Sequence, residues 1–79
     1  MIWYKLVSHI NDMAFYEYGL VDSQMGQQGI IRINLAERTG ALVELANGDA
    51  LHWRRYEQVI RDVMEHYENG MIINSGMVD

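Results

Sequence analysis

Apolar residues recur at spacings of three and four between positions 50 and 69, and this pattern predicts the one long helix of the chain. The residues on this stripe are Trp53, Tyr56, Val59, Ile60, Val63, Met64 and Tyr67. Asp49 is the predicted N-cap, because its carboxylate can accept from the first free amides of a helix. Gly70 is the predicted stop. Such a helix has one face to bury, and we expect Ile60 and Val63 to be fully buried.

Shorter segments alternate apolar and polar residues with a period of two, which predicts β-strands. The predicted strands cover positions 2–8, 13–18, 30–36 and 41–46. Turn-forming residues at 9–12 and 37–40 would join these strands into two hairpins. The segment 19–29 has the glycine and glutamine content of a loop between the hairpins. The short apolar segment 71–74 could pair as a fifth strand or only pack against the domain.

The second hairpin has a turn that ends in glycine, which fits a type I turn followed by a left-handed residue at Gly40. With that turn, Leu35 would face Val43 across the hairpin. Ile33 would then face Leu45, which places the apolar residues of both strands on one face of the sheet. The turn chemistry and the alternation therefore predict the same register.

These elements predict a single domain over 1–79 with an α+β fold. The expected architecture is a four-stranded antiparallel sheet, or a five-stranded one if 71–74 pairs, built from two hairpins with one long amphipathic helix packed across one face. Two hairpins, a Thr-Gly turn and then an amphipathic helix resemble the layout of many small bacterial proteins, a resemblance that implies no residue roles. A domain of 79 residues buries only about 60 to 65% of its unfolded surface, so a partner subunit would add stability.

The charge and the composition exclude several classes of function. The formal charge of -5 argues against a nucleic-acid partner, because phosphate binding needs a basic stripe. The chain has no cysteine, and its histidines do not stand at metal-ligand spacing from one another, so we expect no metal and no cofactor. No apolar run is long enough to span a bilayer, and we expect a soluble, cytoplasmic protein without a membrane partner. On the helix, Glu57 and Arg61 stand four apart in the order that favours an ion pair.

Residues that could bind a small ligand occur near the predicted start of the helix. No serine or threonine stands in a nucleophile motif, so we expect no catalytic residues and a non-enzymatic protein. His52 lies where burial and the helix dipole would both disfavour its charged form. Together with Tyr56 and Tyr18 it could line a pocket between the 19–29 loop and the helix start. The alternative function is accordingly a small-ligand-binding protein or a minor enzyme.

The first predicted strand carries large apolar residues on both of its faces, although one helix can cover only one side of the sheet. The aromatic residues that could lie on the uncovered side are Trp3, Tyr4, Tyr16 and Tyr18. An exposed apolar patch of this kind marks a partner surface. We therefore expect a protein-interaction module whose partner is a second copy, in a homodimer, or another protein. Its interface should exceed about 1,000 Å² in total and contain at least one of these aromatics.

Overall fold

The computed structural model describes residues 1–22, 26–67 and 70–79. Its elements in chain order are β1 (Ile2–Ile10), β2 (Met13–Leu20), β3 (Gly29–Asn34), β4 (Thr39–Glu44), a 3₁₀ turn (Leu51–Trp53), α1 (Arg55–His66) and β5 (Ser75–Val78). The strands form one antiparallel sheet in the order β4-β3-β2-β1-β5. The helix α1 packs across one face of this sheet. The predicted α+β class and layout are therefore confirmed.

The core lies between α1 and the sheet face that it covers. Alternate residues of a strand point to the same face, and the residues that point to this side are apolar in β2, in β3 and in β1 up to the register shift after Leu6. The strand residues that are buried there are Ile2, Tyr4, Ala14, Tyr16, Tyr18, Leu20, Ile31 and Ile33. The helix contributes Val59, Val63 and Met64. The alternation of the sequence thus becomes one continuous apolar layer under the helix.

Glycines opposite two of the tyrosines make room for their rings. Gly29 of β3 pairs with Tyr18 of β2, and a Cβ at Gly29 would lie 2.0 Å from Cε1 of that ring. Gly76 of β5 pairs with Tyr4 of β1, and a Cβ there would lie 2.4 Å from the phenol oxygen. Each ring therefore leans over the neighbouring strand, where any other residue would collide with it.

The fifth strand forms at Ser75–Val78 and not at 71–74, for which the sequence left both pairing and packing open. Asn74 supplies only a backbone carbonyl that accepts from the Leu6 amide at 2.7 Å. The pairing begins where Ser75 lies opposite Lys5. The apolar residues Ile72 and Ile73 pack against the core instead of pairing. The apolar segment therefore packs against the core, and the strand is formed by the four residues Ser75–Val78 that follow it.

The helix is shorter than the predicted range 50–69, of which positions 68 and 69 lie outside the described residues. Arg54 has φ 54° and ψ 36°, and this left-handed residue separates the 3₁₀ turn from α1. Asp49 is not the N-cap, because its carboxylate accepts from the Tyr18 hydroxyl at 2.8 Å and from the Ala50 amide at 2.8 Å. Gly70 has the positive φ of 77° expected of a stop, but α1 already ends at His66.

The predicted register of the second hairpin was wrong. Ile33 pairs with Gly40 and Ile31 with Leu42, since Leu35 lies in the turn and is buried there at 3% exposure. A bulge at Val43 leaves that side chain 56% exposed. The positive φ of this turn belongs to Arg38, at 57°, and not to Gly40. The glycine is needed for packing, because a Cβ at Gly40 would lie 2.7 Å from the Ile60 side chain.

The helix stripe is buried only in part. Val63 is fully buried as predicted, with 0% exposure, but the expectation that Ile60 is fully buried was wrong. Ile60 lies over Gly40, beside the edge strand β4, where the sheet ends and water reaches the side chain. Trp53 is 48% exposed because it belongs to the 3₁₀ turn and not to α1. Periodicity identified the stripe, whereas the extent of the sheet decided how much of it is covered.

Candidate functional site

No described helix or strand covers the face of the sheet opposite α1, which we call the open face. Side chains on this face alternate with the buried ones, and the strand register brings them into rows. Its apolar side chains are Trp3, Ile10, Met13, Phe15, Ile30 and Met77. Its charged side chains are Lys5, Glu17, Arg32 and Glu44. The open face therefore mixes large apolar groups with charges of both signs.

The most exposed apolar groups of the open face lie at its two ends. At one end Trp3 lies opposite Met77, which is 54% exposed, and its indole covers Gly19, where a Cβ would lie 2.6 Å from Nε1. At the other end Ile10 lies opposite Met13 and is 65% exposed. Clusters of exposed apolar residues rimmed by polar ones are typical of interaction surfaces.

The charges of the open face lie between these two ends and balance one another. Lys5 is directly opposite Glu17, which in turn is opposite Ile30, and Ile30 is opposite Glu44. Arg32 adds a second positive charge in the next row. The face thus carries two positive and two negative side chains, although the whole chain has a formal charge of -5.

The structure places Trp3 alone of the four predicted interface aromatics on the open face. Tyr4, Tyr16 and Tyr18 point to the helix side and are 1%, 0% and 0% exposed, so their assignment to an interface was wrong. The physical reason is that a tyrosine ring fills the layer under α1 while its hydroxyl reaches a polar partner. Phe15, which is not among the four predicted aromatics, lies on the open face of β2, opposite Ser8 of β1 and Arg32 of β3.

The tyrosine hydroxyls tie later parts of the chain to the sheet. Tyr4 donates to the Asp62 carboxylate of α1, Tyr16 donates to the Ile73 carbonyl at 2.6 Å, and Tyr18 donates to the Asp49 carboxylate at 2.8 Å. Burial raises the pKa of Tyr16 to about 12. Burial, and then the neighbouring carboxylate, raises the pKa of Tyr4 well above its usual range. All three phenols are therefore protonated structural groups at neutral pH.

The predicted ligand residues do not form one pocket. Tyr18 is buried, and the exposed His52 packs edge-on against Trp53 with ring centroids 5.5 Å apart. Since the left-handed Arg54 breaks the helix, His52 does not continue the helical face that carries Tyr56. A cavity of about 240 Å³ does lie beside the described part of the 19–29 loop, but none of these three side chains lines it.

Tyr56 instead lines a larger groove of about 730 Å³ between β4 and α1, which we call the arginine groove. Its lining residues are Arg38, Gly40, Ala41, Leu42, Leu51, Arg54, Tyr56, Glu57, Ile60, Arg61 and Met64. Three arginines therefore share the groove with one carboxylate and an apolar floor. They are half of the chain's six lysine and arginine residues.

The three arginines of the groove differ in how they are held. The Nη2 atom of Arg38 donates to the Met64 carbonyl at 3.1 Å, near the C-terminal end of α1, where a positive charge is favourable. Arg54 forms an ion pair with Glu57. The predicted Glu57–Arg61 pair is absent, and within the described ranges Arg61 has no hydrogen-bond or ion-pair partner. No local sequence pattern indicates this groove, because it joins residues far apart in the chain.

Other sites are not found in the part of the chain that the structure describes. There, no three histidine, aspartate or glutamate side chains lie together in a way that could hold a metal ion. None of the described helices has both the length and the apolar character needed to cross a membrane. No protein-family model, curated protein or solved structure matches this chain. The open face and the arginine groove are the features from which a function can be inferred.

Proposed function

We propose that this protein is a non-enzymatic interaction module that forms a two-fold homodimer through its open face. The observation that carries the proposal is the arrangement of that face, with exposed apolar side chains at both ends and balanced charges between them. A two-fold pair uses the same surface twice, so each residue type must meet its complement on an identical partner. A surface with both signs of charge satisfies this requirement.

The charge of the chain favours this face over the rest of the surface. Two copies with a formal charge of -5 each repel one another. On the open face Lys5 and Arg32 offset Glu17 and Glu44, so contact there adds no local like-charge excess. In a two-fold pair, the cations of one copy can face the carboxylates of the other, and such complementarity selects the correct partner.

The size of the sheet sets how much of the open face a dimer must cover. Strands about 4.8 Å apart with about 3.3 Å of rise per residue give the five strands a flat footprint of about 500 Å². Specific interfaces bury about 1,000 Å² or more over both partners. Two copies must therefore cover most of the face, and we expect both the Trp3–Met77 end and the Ile10–Met13 end to be buried, together with Phe15 in the row beside Met13.

The experiment is sedimentation velocity on the wild type and on Phe15→Glu over about 1 to 100 µM. The wild type should sediment at twice the protomer mass of 9.2 kDa. The variant places a carboxylate in the interface, and its dimer dissociation constant should be at least about tenfold higher, so the variant dimer dissociates at higher protein concentrations than the wild type. The matched control is Leu51→Glu, which makes the same kind of change at a side chain that is 63% exposed on the helix side.

Two results would reject the proposed dimer. One is a wild-type mass of 9.2 kDa at every concentration. The other is a dimer that Phe15→Glu leaves intact while Leu51→Glu dissociates it, because the interface would then lie on the helix side. Circular dichroism of each variant separates a loss of association from a loss of folding.

A further inference from the structure

The arginine groove runs along a sheet edge. In the described chain β4 is the terminal strand beside β3, so one side of its backbone has no strand partner. Gly40, Ala41 and Leu42 all line the groove although neighbouring side chains point to opposite faces, which means that the groove reaches β4 at its edge. The strand, with sequence TGALVE, has neither lysine nor proline, which often block addition to an edge. The bulge at Val43 leaves 39–42 as its regular part.

The groove is also a local positive site on an acidic protein. Among the residues that the structure describes, three of the six cationic side chains line the groove but only one acidic side chain does, Glu57, and that carboxylate is paired with Arg54. Arg61 has no partner among the residues described. Cations grouped in a cleft with apolar walls raise the local concentration of anions. The charge of the groove is therefore complementary to a carboxylate-bearing ligand.

The floor of the groove between the arginines is apolar. Leu42 of β4 and Ile60 of α1 are partly buried and pack against the core, and Met64 lies beside them. A ligand that spans the groove therefore needs an apolar group in its middle and negative charges at its flanks. An extended peptide has this form when every second residue faces the groove.

We propose that the arginine groove binds an extended acidic peptide by strand addition. The peptide backbone pairs with 39–42 of β4, its central apolar side chain packs on the floor, and its flanking carboxylates contact Arg61 and the other two arginines. Main-chain pairing supplies affinity in this mode of recognition, while alternate side chains supply specificity. The groove and the open face are separate surfaces, so this site does not depend on the proposed dimer.

The test is a titration followed by fluorescence anisotropy with a labelled, capped peptide of sequence Ser-Glu-Ser-Leu-Ser-Glu-Ser. One control peptide replaces both glutamates with glutamine, which keeps the shape and removes the charges. Arg61→Gln should weaken binding about fivefold, since it removes one exposed charge contact. Arg32→Gln is the matched control, because it makes the same change of charge on the open face. The glutamine peptide should bind more weakly than the acidic one to every variant.

Hydrogen exchange of the backbone amides identifies the mode of binding. The acidic peptide should slow exchange within 39–42, and it should do so equally in Phe15→Glu, whatever the oligomeric state of that variant. The proposal is overturned if neither peptide binds at millimolar concentration, or if both bind equally well. It is also overturned if Arg32→Gln weakens binding as much as Arg61→Gln. Octanoate that displaces the peptide while the peptide protects no β4 amide would make the groove a small-carboxylate site, and this result also rejects strand addition.

Discussion

Gly29→Ala tests whether the packing of a tyrosine over the neighbouring strand holds this fold together. The new methyl group would lie 2.0 Å from Cε1 of Tyr18, far inside normal contact distance. The ring cannot remain in place. Its hydroxyl donates to the Asp49 carboxylate at 2.8 Å and accepts from the Ala46 amide at 3.3 Å, so displacing the ring also releases the segment between β4 and α1.

The cost of Gly29→Ala has three parts. Overpacking a filled core costs about 1 to 3 kcal/mol. A lost hydrogen bond to a charged group costs about 1.5 to 3 kcal/mol. The alanine restricts the unfolded chain and returns about 0.4 to 1 kcal/mol. The net loss is therefore about 3 kcal/mol, a large fraction of the about 4 to 12 kcal/mol expected for 79 residues.

Urea denaturation followed by circular dichroism measures this loss. Gly19→Ala is the matched control, because its Cβ would also meet an aromatic ring, at 2.6 Å from Trp3, but that ring lies on the open face and not in the core under α1. The control should cost less than about 1 kcal/mol. In a Tyr18→Phe background Gly29→Ala should cost about 1.5 kcal/mol less, since the hydroxyl bonds are already gone. Equal costs for Gly29→Ala and Gly19→Ala would refute the packing argument.

Two further predictions concern the core and the buried phenols. Val63→Ala should lower the free energy of unfolding by about 2 kcal/mol through lost burial and a cavity, whereas Leu51→Ala, at a side chain that is 63% exposed, should change it by less than about 0.5 kcal/mol; urea midpoints check both. Burial raises the pKa of Tyr16 to about 12, against about 10 in the unfolded chain. As the pH rises, Tyr16 loses its proton in the unfolded state before it does so in the folded state. Its contribution to the free energy of unfolding is therefore intact below about pH 10 and is lost as the pH rises towards 12. In thermal melts from pH 8 to 11, the free energy of unfolding should decline above pH 10 by at most about 1.4 kcal/mol per pH unit for each such tyrosine. The decline is smaller where water screens a part-buried hydroxyl. A free energy of unfolding that does not change with pH would contradict this prediction.

Local sequence patterns did not predict the first residue of the helix. Asp49 is a residue type that favours the N-cap position, and the apolar stripe of seven residues correctly predicted a helix in this part of the chain. The carboxylate bonds to Tyr18 instead, a residue 31 positions earlier in the chain. The helix α1 begins only after the left-handed Arg54, and the Asp49 carboxylate makes a contact that no local pattern contains.

The second hairpin shows the same limit for strand register. Its alternation correctly predicted two antiparallel strands, but Leu35 turned inward to the core and the pairing shifted to Ile33 opposite Gly40. The need for glycine at that position comes from Ile60 on the helix and not from the turn. Turn chemistry competes with core packing, and here packing decided.

The sequence by itself determined the class of the fold and the order of its elements, because amphipathic periods of two and of 3.6 residues are local properties of the chain. The tertiary structure alone decided which aromatic residues are hidden and which charges meet. Trp3 and Tyr4 are neighbours in sequence, yet one lies on the open face and the other lies in the core, because only one side of the sheet has a helix on it. Arg38 and Arg61 reach the same groove only when β4 comes to lie beside α1. Both surfaces therefore depend on contacts between distant residues, which no local spacing in the sequence can express.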